Sequence, residues 1–161
     1  MAHAMFPESD AYASTNDATA QHTLGTTVDY YDATYGWQKL VYYYLTDAVA
    51  TTAGHVVTFS HDAVGYVTGD ISEGTAQFAG VALGVVSATY FGWFVCGVGN
   101  RCYVLTDGAA TAQAVCMPHT GNNGEMDNFA DGSEEFACGA FLVSNTTTTQ
   151  LGSTMIITKG I

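Results

Sequence analysis

Positively charged side chains are nearly absent from this sequence. Among its 161 residues, 3 are Lys or Arg and 15 are Asp or Glu, which gives a formal net charge of −12 at pH 7. Nucleic-acid binding relies on clustered Lys and Arg that neutralise phosphates, and attraction to an anionic membrane surface relies on a polybasic segment. We therefore expect neither nucleic acid nor a membrane as a partner of this chain.

Charged residues of both signs are scarce as well. They make up 11% of the chain, whereas soluble domains average about 25%. Helical bundles cover their solvent faces with Glu, Lys and Arg, so this composition argues against a bundle. The chain has only 2 Pro but 18 Gly, 10 Tyr and 8 Phe. Because tyrosine, phenylalanine, threonine and valine favour strands and glycine favours turns, we predict an all-β domain.

One long uncharged run extends from Thr75 to Asn100, and its part from Phe78 to Val98 is almost wholly apolar. That length would suit a membrane helix of about 20 residues. The run is rich in β-branched and aromatic residues, however, and Ser87–Thr89 has the composition of a turn. It also lacks the flanking Lys and Arg that orient a membrane span. We interpret the run as two consecutive strands.

The cysteines show no metal-binding spacing. No CxxC occurs among Cys96, Cys102, Cys116 and Cys138. The first residues have neither the basic region nor the apolar region of a secretory signal, so we expect free thiols in a reducing compartment. A hairpin with Val98–Asn100 as its loop would place Cys96 opposite Cys102, and a disulfide between these two is the alternative.

Short apolar runs separated by turn residues begin at Trp37 and continue to the end of the chain. About eight or nine short strands at regular spacing are typical of a compact β-barrel or β-sandwich. The predicted strands are Gln38–Leu45, His55–Ser60, part of Ala63–Ile71, Ala76–Ser87, Tyr90–Cys96, Cys102–Thr106, Ala112–Met117, Glu135–Ser144 and Ser153–Thr158.

Residues 1–35 differ from the rest in composition and show no sustained periodicity. We predict an extended N-terminal arm over residues 1–35 and the β domain over residues 36–161. Such a segment buries too little apolar surface to fold alone, which leaves either a disordered tail or an arm that folds onto another subunit. Its spaced aromatic residues favour the arm. The predicted capsid or subunit interface consists of Phe6, Tyr12, Tyr30, Tyr31, Tyr35 and Trp37.

Sequence signatures of catalysis are absent. There is no HExxH, no GxSxG and no glycine-rich phosphate loop that leads into a helix. His55 and His61 flank one predicted strand and would lie about 20 Å apart, which is too far for one metal ion. We therefore expect no enzyme, no catalytic residue, no metal and no cofactor.

Two groups of residues leave other functions open. One is a polar acidic loop, which lacks the ligand order of a calcium loop and which we interpret as solvated rather than as the site of a small β-fold hydrolase. The other is the pair Trp37 and Trp93, whose rings are suited to stacking on sugars, so a carbohydrate-binding β module is an alternative. The acidic residues of the loop are Glu125, Asp127, Asp131, Glu134 and Glu135.

The run Phe78–Gly97 carries a resemblance to a known family. It consists of a Gly-Val-Ala-Leu strand at Gly80–Leu83, a short turn, and an aromatic-Gly-Trp strand at Tyr90–Trp93 that ends near a glycine. The later Glu135–Phe141 resembles a second small-residue strand, and a final strand at Thr154–Thr158 runs towards the end of the chain. This order resembles the capsid decoration (cement) proteins and related small head proteins of tailed bacteriophages over about residues 37–161.

The resemblance implies a β-barrel or β-tulip-like domain that sits on the outside of an assembled viral shell and stabilises it. Its partner would be the major capsid protein, and the family suggests a homotrimer. The protein would be made in the host cytoplasm and end in the virion, on the capsid exterior. No catalysis and no cofactor are implied. A carbohydrate-binding module of a phage fibre or surface protein remains the alternative.

Overall fold

Strands make up nearly all the regular secondary structure. The structure is a computed structural model that describes residues 12–46, 48–59, 66–68, 77–97, 100–106, 115–118, 123–128, 139–142 and 150–157. Apart from a helical turn at residues 12–13, its regular elements are β-strands, so the predicted all-β fold is confirmed. The strands are β1 (Thr27–Asp32), β2 (Gly36–Leu45), β3 (Val56–Phe59), β4 (Tyr66–Val67), β5 (Gln77–Ala82), β6 (Phe91–Cys96), β7 (Arg101–Thr106), β8 (Val115–Pro118), β9 (Met126–Asn128), β10 (Gly139–Leu142) and β11 (Gln150–Ile157).

The first sheet has six strands in the order β1-β2-β6-β5-β3, with β4 attached to β2. β1 and β2 form an antiparallel hairpin, and β2 continues to pair with β6 and β6 with β5. β4 runs parallel to the end of β2, and Thr68, which follows β4, bridges Thr58 of β3. The strands β2, β6, β5, β3 and β4 are thereby linked into a ring, and β1 extends the sheet beyond it.

The later strands form a closed barrel in the order β10-β11-β7-β9-β8. β11 pairs antiparallel with both β10 and β7, and β8 pairs with both β9 and β10. The two sheets also bond to each other directly. Leu105 N–H of β7 donates to Gly54 O at 2.8 Å, and Val56 N–H of β3 donates to Gly124 O at 2.8 Å. The architecture is therefore two curled sheets joined through their backbones.

The larger core cluster lies on one face of the first sheet and continues into the second. Because side chains alternate along a strand, Leu40 and Tyr42 of β2 point to the same face as Trp93 and Val95 of β6. All four are at most 3% exposed. Burying each such side chain contributes about 1.5–3 kcal/mol. The second sheet adds Cys102, Val104 and Met126 to this cluster.

The opposite face of the same strands carries a second core cluster, so the middle of the first sheet is apolar on both sides. Phe94 alternates with Trp93 and Val95 and is itself fully buried. Two-sided burial explains why the sequence of β6 is a continuous apolar run instead of an alternating one. The second cluster consists of Val41, Leu45, Val57, Ala82, Val86 and Phe94.

The strand predicted to end at Ser87 ends at Ala82. The segment after Ala82 leaves β6 because it bonds elsewhere. Thr51 N–H donates to Val86 O at 2.9 Å, and Val86 N–H donates to Thr51 Oγ1 at 3.1 Å. Gly84 also lies so close to the N-terminal residues that a Cβ there would approach Ala13 O to 2.0 Å. The predicted turn at Ser87–Thr89 is present, with a hydrogen bond from Tyr90 N–H to Ser87 O at 3.0 Å.

The predicted hairpin that places Cys96 opposite Cys102 is wrong. β6 is already paired on both sides, with β2 and β5, so its edges cannot accept β7. The chain leaves β6 through Gly97, which has φ +98°, and β7 pairs with β11 of the other sheet instead. Cys96 and Cys102 are free thiols. Cys138 and the side chain of Cys116 lie outside the described part of the structure.

The boundary predicted between residues 35 and 36 falls in the turn of the β1–β2 hairpin. β1 belongs to the first sheet, where Tyr30 is 2% exposed within the larger core cluster. Residues before β1 lie on the same sheet, since Asp17 and Phe91 form an antiparallel bridge with hydrogen bonds of 3.0 and 2.9 Å. The described part of the predicted arm is thus packed on its own β domain.

Candidate interaction surface

Two large aromatic side chains project from the outer face of the β1–β2 hairpin. Tyr31 and Trp37 are direct cross-strand partners, and their ring centroids lie 5.4 Å apart at an interplanar angle of 69°. Tyr31 is 54% exposed and Trp37 59% exposed. Edge-to-face rings of this kind stabilise each other by about 0.5–1.5 kcal/mol. We call Tyr31 and Trp37 the hairpin pair, a surface that keeps more than half of each residue accessible to a partner.

The turn of the hairpin is fixed by a side chain. Asp32 Oδ1 accepts hydrogen bonds from Thr34 N–H at 2.7 Å and from Tyr35 N–H at 2.9 Å, as in an Asx turn. Gly36 follows with φ +81°, a conformation that residues with a Cβ rarely adopt. The backbone between Tyr31 and Trp37 is therefore closely defined by local sequence, which holds the two rings in place.

A second aromatic contact ties the turn to the other sheet. The rings of Tyr35 and Tyr103 lie 5.1 Å apart at 84°, and Tyr103 on β7 is 48% exposed. Gln38 is buried at the base of the hairpin, where its Nε2 donates to the backbone oxygen of Arg101. These contacts attach the hairpin to β7, so the strands that carry the hairpin pair are packed against the second sheet.

The charges near the hairpin pair are few and partly compensated. Lys39 Nζ lies 3.6 Å from Asp29 Oδ1, with the two side chains 51% and 71% exposed. Exposed pairs like this contribute little to stability, about 0–1 kcal/mol. Lys39 is also the cross-strand neighbour of Cys96. Burial raises the pKa of the Cys96 thiol to about 11 although the charge of Lys39 opposes the shift, so the group stays protonated at neutral pH.

The residues predicted as interface occupy three environments. Tyr31 and Trp37 are exposed, and Tyr35 is intermediate between buried and exposed. Tyr30 is buried, and the half-buried Tyr12 packs its ring 5.8 Å from that of Tyr30. Phe6 lies outside the described residues. The structure thus groups Tyr31, Trp37 and Tyr35 on the hairpin and places Tyr12 and Tyr30 on the core side.

Tyr103 is a surface aromatic residue that the sequence prediction omitted. The sequence of β7 could have revealed it, because side chains alternate between the two faces of a strand. Cys102 and Val104 are buried, so Tyr103 between them points outward. Trp93 is the opposite case. It is 3% exposed and packs against Tyr12 with ring centroids 5.3 Å apart. The burial of this ring rules out the alternative in which Trp93 stacks on sugars, because β6 is covered on the face that carries it.

The N-terminal residues hold to the first sheet through Tyr42. Its hydroxyl donates to Asp17 Oδ2 at 2.7 Å and accepts from Gln21 N–H at 3.2 Å. The ring of His22 lies 5.0 Å from that of Tyr42 and 5.2 Å from that of Trp93. Burial, reinforced by Asp17, raises the pKa of Tyr42 to about 12. We call residues 12–26 the N-terminal clasp; it covers the aromatic side of the sheet.

No metal site is assembled by the residues that the structure describes. None of their His, Cys, Asp and Glu side chains form a group of three or more. His55 lies at the junction of the sheets, where its Nδ1 accepts a hydrogen bond from Thr52 N–H at 3.3 Å. Burial lowers the pKa of His55, and the charge of Glu125 only partly opposes this. His61 and the acidic-loop residues Asp131, Glu134 and Glu135 lie outside the described residues.

The residues that the structure describes contain no helix long and apolar enough to cross a bilayer. The run Phe78–Val98, which has the length of such a helix, contains β5 and β6 where the structure describes it. The interpretation of this run as two strands is confirmed.

Comparison with solved structures finds a likeness in fold, whereas the two sequence comparisons find no match. No protein-family model matches the chain, and no curated protein matches it in sequence. Among solved structures, the chain is similar to the N base of the head fiber protein gp8.5 of bacteriophage phi29, with 14% sequence identity and a TM-score of 0.49. The likeness covers 73% of this chain and 93% of that one.

Proposed function

We propose that this protein is a structural component of a tailed-phage head that binds the outside of the assembled capsid and stabilises it. The sequence resemblance to capsid decoration proteins supports this role, and its central elements fold as the paired strands β5 and β6. The role is one of binding, with no catalytic step, metal or cofactor. Its partner is the major capsid protein, and the chain assembles as a homotrimer on the capsid exterior.

The hairpin pair is the observation that carries the proposal. Tyrosine and tryptophan are enriched in the energetically dominant centres of protein interfaces. Here both project from one rigid hairpin, each more than half exposed. The surrounding chain has a net charge of −12, which disfavours contact with packaged nucleic acid but allows an aromatic contact with protein. A supported aromatic surface on an acidic domain suits attachment to a protein shell.

Binding to empty capsid shells tests the proposal. We expect the wild-type chain to co-sediment with shells and Trp37→Ala to bind at least about thirtyfold more weakly, because truncating a central interface residue costs about 2 kcal/mol or more. Val85→Ala is the matched control, since Val85 is 53% exposed but lies outside the hairpin. If the wild-type protein does not bind shells, or if Trp37→Ala binds them as tightly as the wild type, the role assigned to this surface is refuted.

The homotrimer is tested separately, by light scattering of the free protein and by counting copies on shells. Three copies per binding position support it. A monomer at every position contradicts the trimer while leaving capsid attachment intact. Because each contact in a trimer is held close to its site by the others, the trimer should bind more tightly than a single copy by about 10²–10⁴-fold.

A carbohydrate-binding module is the second candidate, and the exposed ring of Trp37 favours it. Sugars stack on flat aromatic faces. The ring of Tyr31 lies next to that of Trp37 at an interplanar angle of 69°, so a sugar stacked on Trp37 would also contact Tyr31. A glycan array separates the two functions. Glycan binding that is lost in Trp37→Ala, together with no shell binding by the wild type, would replace the capsid role with this one.

A further inference from the structure

β1 is an edge strand of the first sheet. It pairs with β2 on one side, and among the residues that the structure describes no strand pairs with its other side. The outward-facing residues of the strand, Thr27, Asp29 and Tyr31, are all exposed. An unpaired edge presents a row of backbone donors and acceptors that another extended chain can use.

The phase of the hydrogen bonds identifies which backbone groups are unpaired. Tyr42 N–H donates to Thr26 O at 2.9 Å, and the register sets Val28 opposite Leu40. In an antiparallel pair, bonded positions recur at every second residue. The even-numbered residues of β1 therefore bond to β2. The N–H and C=O groups of Thr27, Asp29 and Tyr31 point away from β2, towards the side on which the structure describes no pairing strand.

We propose that this edge accepts an extended segment of the capsid protein as an added strand, and that the segment carries a Lys or Arg. The inference rests on the proposed function and names the chemistry of the partner. Backbone pairing along β1 supplies affinity, and the side chains that alternate towards the outer face supply selectivity. On that face the incoming segment meets Asp29 and the ring of Tyr31.

Charge decides in favour of a cationic segment. The side chain of Asp29 is 71% exposed and lies 3.6 Å from Lys39, an exposed ion pair that a second cation can join, and the chain has a net charge of −12. A second copy of the chain would bring the same negative charge to the same edge, which disfavours self-pairing through β1. An Arg or Lys on the incoming segment competes with Lys39 for the carboxylate of Asp29 and also lies within reach of the hairpin pair, whose rings attract cations.

The test compares two substitutions at Asp29. Both Asp29→Asn and Asp29→Pro remove the charge, but only proline removes the outward N–H. Proline is tolerated on an edge strand where the N–H faces solvent, so Asp29→Pro should keep the hairpin. We expect Asp29→Asn to bind empty shells a few-fold more weakly than wild type. Asp29→Pro should bind about tenfold more weakly than Asp29→Asn, because one backbone hydrogen bond is lost and the proline ring occupies the position of the N–H.

Hydrogen exchange on the wild-type protein gives a second measurement that does not depend on a variant folding. Bound to shells, the amides of Thr27, Asp29 and Tyr31 should slow, while those of Val28 and Tyr30 are slow already in the free protein. Shell-bound protein without this extra protection, or equal binding by the two variants, overturns the added strand. If the same amides become protected when the free protein self-associates, the strand that pairs with β1 comes from a second copy of the chain, and the proposal of a capsid segment is overturned. Wild-type protein that does not bind shells refutes the proposed function instead.

Discussion

Replacing Tyr42 with phenylalanine removes the hydroxyl that holds the N-terminal clasp to the first sheet. Two hydrogen bonds are lost, one to the carboxylate of Asp17 and one from Gln21 N–H. A bond to a charged group contributes about 1.5–3 kcal/mol and a neutral one about 1 kcal/mol. Both partners keep access to water, which offsets part of the loss. We expect Tyr42→Phe to lower the free energy of unfolding by about 2 kcal/mol.

Thermal unfolding measures this effect. In a domain of this size, 1 kcal/mol shifts Tm by about 2–4 °C, so Tyr42→Phe should melt about 4–8 °C below wild type. Tyr31→Phe is the matched control, because its hydroxyl is removed from an exposed ring and Tm should stay nearly constant. Equal Tm values for the two variants would refute the stabilising role of the Tyr42 hydroxyl.

The same substitution has a signature at alkaline pH. The pKa of Tyr42 is raised to about 12 in the folded protein, first by burial, whereas an unfolded tyrosine titrates near 10. Between these pH values the folded state keeps a proton that the unfolded state loses, so stability falls as pH rises. Tyr42→Phe lacks this loss. Its Tm deficit against wild type should shrink as pH rises above about 10, and a constant deficit would contradict the link.

Three further predictions concern other parts of the fold. Gly80→Ala should prevent or severely weaken folding, because a Cβ at this position would lie 2.1 Å from Val95 O; a far-ultraviolet circular dichroism melt checks this, and near-wild-type Tm would contradict it. His55→Asn keeps an acceptor for Thr52 N–H. Because the pKa of His55 is lowered in the fold, protonating it below about pH 6.5 destabilises the wild type, and His55→Asn should lose less stability over this range. Urea unfolding at several pH values measures this, and parallel pH profiles for the two proteins would argue against it. Cys96 should react slowly with iodoacetamide until the pH nears its pKa of about 11. Peptide mass spectrometry measures the labelling, with urea-unfolded protein as the control. Rapid labelling at neutral pH would show that the thiol is not held protonated.

Local sequence patterns were sufficient to locate the central strands. β6 and β7 were predicted within one residue at each end, because both are apolar runs bounded by turn residues. β1 was missed, since only Val28 and Tyr30 mark its inward face among polar neighbours. The burial of Tyr30 depends on partners distant in sequence, such as Tyr12, and no local pattern contains that information.

Strand partners and side-chain exposure were harder to predict than strand positions. Cys96 and Cys102 lie in successive strands, yet these strands belong to different sheets. Trp37 and Trp93 both follow a glycine, and no local pattern distinguishes the exposed ring from the buried one. They differ because β6 lies between two strands with a core cluster on each face, whereas the Trp37 end of β2 is covered only on its inner face.

The order of strands in the first sheet has a consequence for synthesis of the protein. β2 lies between β1, made just before it, and β6, which follows it only after three intervening strands. While the chain emerges from the ribosome, the hairpin can close early, but the edge of β2 that pairs with β6 stays without this partner until β6 has been translated. Non-local pairing of this kind slows folding. The nascent protein therefore passes through a stage in which this edge of β2, along its apolar residues Leu40 and Tyr42, has no partner strand, and chaperones that recognise extended apolar segments have their best opportunity to bind at that stage.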